Sequence, residues 1–372
     1  MRTTSAPRRH VAAAAWPAIS LLAILAAGCV PTVSPSPSAA PVDVTSSPSA
    51  SRAPTSSGPE PPMTAAWARL EVDPAPPARE DHTWTVDPST ATAYLFGGRS
   101  RSTVFADLWA FDLGADGWRQ LTPLGDGPGA RFGHEAAWID GLGLVAFAGQ
   151  REATTFFGDL WAYDPSTNRW TELPAHGAAP EPRYGACAAV GPDGRLWISH
   201  GFTNDGRFDD TWAYNPATEE WSDVTPDGVG PVERCLHGCW WTSDGRLVLF
   251  GGQTTGTAAL GDLWLLTSAG TPATAWERVE GDLPEARSLY AFAPRTSRMV
   301  LVGGQGPDGY LADVVTVDLA TLAVDRPQQP PPVPDGRAGA TLIEDPAAER
   351  LLLFGGRTGG STLSDLWELD LR

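Results

Sequence analysis

Arginine and aspartate recur in register along this chain, and their chemistry is the first thing that needs an account. Arg79, Arg131, Arg183, Arg234, Arg287 and Arg337 form one series; Asp107, Asp159, Asp210, Asp262, Asp313 and Asp365 form another. Paired, such groups make charge-assisted hydrogen bonds and act as scaffold. Unpaired, the arginines would form a cationic ring for an anionic ligand. A buried guanidinium without a partner is costly, which favours the scaffold reading. His82, His134 and His237 each stand three residues after one of these arginines, while Ala186, Tyr290 and Ala340 fill that place elsewhere. Histidines in register serve packing and hydrogen bonding or ligate a metal. Cys235 and Cys239 flank His237, but on an extended strand they lie about 13 Å apart, too far to share one ion. The expectation is no metal and no cofactor.

Other chemistry is limited by composition. All 26 basic residues are Arg and none is Lys, which excludes lysine Schiff bases and a P-loop lysine. There is no G-x-S-x-G elbow and no H-E-x-x-H pair, and no catalytic residue is assigned. A formal charge of -18 argues against nucleic acid as a partner.

These residues are positioned by a repeat. An apolar run ending in a small pair recurs at Gly97-Gly98, Ala148-Gly149, His200-Gly201, Gly251-Gly252, Gly303-Gly304 and Gly355-Gly356, with second members 51, 52, 51, 52 and 52 residues apart. One of the six aspartates opens the next apolar stretch each time, as in "DLWAFD" and "DLWAYD". With 40 Gly, 35 Pro and 16 Trp, the chain reads as many short strands joined by tight turns.

A period near 50 with a Gly-Gly pair and a later Trp resembles the kelch repeat, whose units each form a four-stranded blade of a β-propeller. The resemblance covers residues 65–372 and implies an all-β, six-bladed kelch-type propeller. Each unit reads as strand a after an Arg, strand b ending in the small pair, strand c opening with Asp, and outer strand d marked by Trp118, Trp170, Trp221 or Trp276. The fifth unit has Val315 and Val324 where others carry Trp. It is expected to be the least tightly packed. The sixth unit stops after strand c, and "WARLEV", Trp67 to Val72, is an orphan of the strand-d type. Pairing it with Asp365 to Leu371 would close the ring and remove an open sheet edge.

Blade registry also bears on the cysteines. Cys187 lies four residues after Arg183 and Cys239 five after Arg234, at similar depth on adjacent blades. A Cys187 to Cys239 disulfide is expected, with Cys235 a buried free thiol.

The N-terminus reads as an export signal. Three arginines precede an uncharged apolar run from Val11 to Ala27, and "LAAGC" resembles the bacterial lipobox, which implies lipidation of Cys29. Residues 1–28 are then the lipoprotein signal peptide. Residues 29–64, rich in Ser and Pro, read as a disordered tether to a body held extracytoplasmically at the bacterial cell membrane.

The loops between strands b and c differ more in sequence than the strands beside them. They carry Arg99, Arg101, Arg151, Arg207 and Arg357 with Phe105, Phe156, Phe157, Phe202, Phe208 and Tyr310, a mixture suited to sugar faces and carboxylates. The phenylalanines either recognise ligand or pin each loop onto its blade. The functional expectation is a binding module for a protein or glycan at this loop face. The alternative is a carbohydrate-active enzyme, such as a sugar mutarotase or an oxidase, which would gather polar groups in the central channel.

Overall fold

The computed structural model describes residues 62–101 and 103–372. The signal peptide, Cys29 and nearly all of the tether lie outside the described residues. The far end of the tether does not: Thr64 exchanges backbone hydrogen bonds with Arg372 (2.7 and 3.0 Å), so the folded body begins just before Ala65.

Six four-stranded antiparallel sheets follow one another, each a blade with strands a to d running outward from a central channel. Blade 1 comprises Thr83–Asp87, Thr92–Phe96, Leu108–Asp112 and Gly117–Leu121. Blades 2 to 5 repeat this, with strands a at Glu135–Ile139, Cys187–Val190, Gly238–Trp241 and Ala291–Arg295. In blade 6, Thr341–Asp345, Arg350–Phe354 and Leu366–Leu371 are completed by the N-terminal strand Ala65–Leu70. The closing strand is antiparallel and in register from Ala65 opposite Leu371 to Leu70 opposite Leu366. It starts two residues earlier than the Trp signal suggests, since backbone pairing continues past the last buried aromatic.

Each apolar cluster spans two blades, because a twisted sheet with both faces apolar can bury them only against its neighbours. Trp84, Leu95 and Phe111 of blade 1 cluster with Leu352 and Phe354 of blade 6. Trp197 and Ala213 of blade 3 cluster with Leu247 and Leu249 of blade 4. Blade 5 has only a two-residue outer strand, Val324–Asp325, consistent with its missing Trp.

Candidate functional site

The six arginines and six aspartates form six identical latches. Arg79 is fully buried; its two terminal nitrogens donate to the two Asp107 oxygens at 2.7 and 2.8 Å, and its Nε donates to the Pro77 carbonyl at 3.0 Å. One of those nitrogens also donates to the Gly97 carbonyl at 2.8 Å. The pattern recurs for Arg131 with Asp159, Arg183 with Asp210, Arg234 with Asp262, Arg287 with Asp313 and Arg337 with Asp365. Trp109, two residues after Asp107, adds an indole N–H at 2.7 Å, as do Trp161, Trp212, Trp264 and Trp367 in their blades; Val315 in blade 5 cannot. Burial pushes the Asp107 carboxyl up, but hydrogen bonds from Arg79 and its charge outweigh this and hold it below the usual value. Buried, neutralised by an aspartate and each donating four hydrogen bonds, these arginines offer no cationic ring to a ligand.

The small pair sets the direction of the backbone beside each latch. Its first member is left-handed (φ 63° at Gly97), which turns the carbonyl toward the arginine, and Ala148 and His200 adopt the same conformation without being glycine. A Cβ on the second member, Gly98, would sit 2.7 Å from the His82 Cβ and 2.8 Å from the Glu80 carbonyl.

The residue two after each arginine builds a second ring. Gly133 N–H donates to the Asp81 carbonyl, Gly185 to Gly133, Leu236 to Gly185, Leu289 to Leu236, Gly339 to Leu289 and Asp81 to Gly339, all at 2.7 to 3.0 Å. Six left-handed residues thus close a circle of backbone hydrogen bonds around the channel. One residue further on, two of the three repeated histidines tie blades together, while both ring nitrogens of His237 have no partner among the described residues. His134 Nε2 meets Thr83 Oγ1 at 2.9 Å and His82 Nε2 meets Thr341 Oγ1 at 2.7 Å, while Tyr290 accepts from Gly238 N–H at 2.9 Å. Burial, then Arg131, lowers the His134 pKa to about 3; burial, then Arg234, does the same for His200. No group of metal-ligating side chains occurs among the described residues.

Cys187 and Cys239 are disulfide-bonded across blades 3 and 4, with Cα atoms 5.7 Å apart. Cys235 is free and buried, and burial pushes its thiol pKa up.

At the loop face the candidate residues divide into groups. Phe105, Phe157 and Phe208 lie over Arg79, Arg131 and Arg183 at 4.2, 4.2 and 4.0 Å. They cap the latches and pin their loops, so the recognition reading passes to the remaining residues. Arg99 and Arg357 are tied down: Arg99 pairs with Asp81 at 3.0 Å, and Arg357 pairs with Glu80 and reaches the Tyr310 hydroxyl at 3.3 Å. Phe156, Phe202, Tyr184 and Phe132 run edge to face across the mouth, with centroids 5.7 to 6.4 Å apart. Arg207 lies 5.4 Å over Phe202, its Nε is buried without an acceptor, and no carboxylate among the described residues pairs with it. Arg101 is exposed, and Arg151 is half-exposed beside Glu152 at 3.2 Å.

With this geometry in view, the family model of the KLHDC2/KLHL20/DRC7 Kelch-repeats domain matches residues 62–245 and again 231–372. The chain belongs to that kelch family. Its propeller is similar to a solved structure titled "Structure of YjhT", with a TM-score of 0.64, 17% identity and coverage of 80% of this chain and 99% of that one. That likeness speaks for the fold. Among curated proteins, it is 26% identical over 70% of its length to serine/threonine-protein phosphatase BSL2 of Arabidopsis thaliana. It is 25% identical over 69% of its length to Adagio-like protein 1 of Oryza sativa subsp. japonica. The aligned regions make up only 28% and 44% of those two relatives.

In this kelch propeller, sequence reasoning located both members of the latch. It missed the Trp two residues after five of the six aspartates as the third donor, although "DLW" recurs visibly. The backbone ring carries no residue signature, since Asp, Gly and Leu all occupy it, and only the coordinates show it.

Proposed function

We propose that this kelch propeller is an extracytoplasmic, lipid-anchored binding module that captures a carboxylate-bearing protein or glycan at the mouth of its loop face. The observation that carries this is Arg207: like Arg99 it has an aromatic platform and a buried Nε without an acceptor, but unlike Arg99 it has no acidic partner among the described residues. A ligand carboxylate would complete its hydrogen bonds, and Phe202 and Phe156 would take the face of a sugar or side chain. Exposed Arg101 and Arg151 extend the basic surface on an otherwise acidic body, which favours encounter with an anion. The apolar run ending in "LAAGC" supports export and lipidation at Cys29, and the Ser/Pro-rich stretch after it supports a tether.

The test is a screen of uronic-acid and sialylated glycans and of envelope proteins against the full chain. Replacing Arg101, Arg151 and Arg207 together with Ala should abolish capture without changing the melting temperature. Undiminished capture would move the site away from this face. Labelled palmitate incorporation should be lost in Cys29→Ser, and its persistence would refute the anchor.

A further inference from the structure

Beneath the backbone ring the channel widens into a cavity of about 270 Å³, lined by the inner strands of all six blades. At most blade boundaries, the strand-a residue four after the arginine is engaged by the next blade. Thr83 bonds His134, Thr341 bonds His82, Cys187 is bridged to Cys239, and Gly238 N–H reaches Tyr290. Between blades 2 and 3 the equivalent residue is Glu135, and the place a histidine would hold is taken by Ala186. The methyl group of Ala186 offers no hydrogen bond, and the carboxyl has no partner among the described residues. Directly across the ring, Ala291 and Ala340 meet between blades 5 and 6, so the lumen is widened at both ends of one diameter.

The lining is acidic and apolar. It contains Asp81 and Glu135, with Trp84, Phe292 and Leu342 among the walls, and neither Arg nor Lys. Asp81 is occupied by Arg99. Glu135 is thus a carboxyl on the channel wall, facing a cavity whose lining also includes Trp84 and Phe292. We propose that this cavity is a binding site for a small organic ammonium group, with Glu135 as its counter-ion and Trp84 and Phe292 as the apolar and cation–π wall.

Burial alone pushes the Glu135 pKa well above 4.5, which favours the acid form in the empty site. Entry of R–NH3+ breaks the Glu135 O–H bond, the proton leaves to buffer, and the carboxylate pairs with the ammonium. The site stays neutral overall, and an isolated charge is never buried. His82, His134 and His237, which also line the cavity, are held neutral by burial and do not compete. Tyr290 is kept protonated by burial, and burial also raises the Asp81 pKa, against the lowering charges of Arg99, 3.0 Å away, and Arg357.

The experiment titrates n-butylammonium, n-butanol and butyrate into the full chain calorimetrically at pH 6.5, in two buffers of different ionisation enthalpy. Saturable binding of n-butylammonium alone, with about one proton released per ligand and affinity rising about tenfold per pH unit below the Glu135 pKa, is expected. Glu135→Gln should abolish it. Binding at surface carboxylates, which are already ionised, would release no proton, and proton-coupled binding that survives Glu135→Gln would place the ammonium on Asp81 and overturn the assignment to Glu135. Equal binding of n-butanol, ammonium binding without proton release, or no saturable ammonium binding would each overturn the proposal.

Discussion

His134→Gln should make the protein less sensitive to acid by an amount the structure sets. His134 is buried between blades 1 and 2, with Nε2 on Thr83 and Nδ1 without a partner. Its pKa is lowered from 6.5 to about 3 by burial first and Arg131 second, with Asp159 opposing. In the unfolded chain the ring takes up a proton below pH 6.5, whereas in the native protein it stays neutral until about pH 3. Between those values the unfolded state binds more protons, so stability falls as pH drops through that window. At pH 5 the unfolded ring is 1.5 units below its reference pKa. At about 1.4 kcal/mol per unit, the native state loses about 2 kcal/mol relative to pH 8 through this one group. Glutamine can still bond Thr83 but does not titrate. Urea unfolding at pH 8 and pH 5 is the assay: whatever His134→Gln costs at pH 8, the gap from wild type should shrink by about 2 kcal/mol at pH 5. Glu135, whose raised pKa acts with the opposite sign, cancels in this difference. The Asp107 and Asp159 carboxylates are held below their usual value and lose their contribution only as pH falls from about 3.8, outside the measurement. A gap of the same size at both pH values would refute the reasoning.

The latches and the closure are open to equally direct tests. Asp159→Asn leaves the fully buried Arg131 without its counter-charge and should cost about 3–5 kcal/mol in urea unfolding, while Arg131→Met with Asp159→Leu should cost less than the single change; a single-variant loss under about 1 kcal/mol would show the pair to be dispensable. Deleting residues 65–72 removes the strand paired to Leu366–Leu371 and the buried Trp67, exposing an apolar edge. It should drive aggregation or unfolding, and an unchanged melting temperature would reject the closure.

How much of this was legible beforehand follows from what each feature depends on. A propeller blade touches only its neighbours, so the same local demands recur at each turn of the chain and leave a one-dimensional trace. Period, strand order, blade count, the Arg and Asp series and the orphan first strand can all be read from such a trace, because each repeats a residue type at a fixed spacing. The cysteines were legible for the same reason, since equal depth on adjacent blades follows from equal distance after an arginine. Side-chain direction leaves no such mark. Phe105 and Phe156 both sit in loops between strands b and c, yet Phe105 stacks on its latch while Phe156 lies against Phe202 of the next blade. The backbone ring is made by left-handed torsions that Asp81, Leu236 and Leu289 adopt as readily as the glycines do once neighbouring blades hold them. What isolates Glu135 is the smallness of Ala186 in the next repeat, and Arg207 stands apart because Arg99 and Arg357 have Glu80 and Asp81 beside them. The relations of Glu135 to Ala186 and of Arg357 to Glu80 cross from one repeat to another and are fixed only when the ring brings blade against blade.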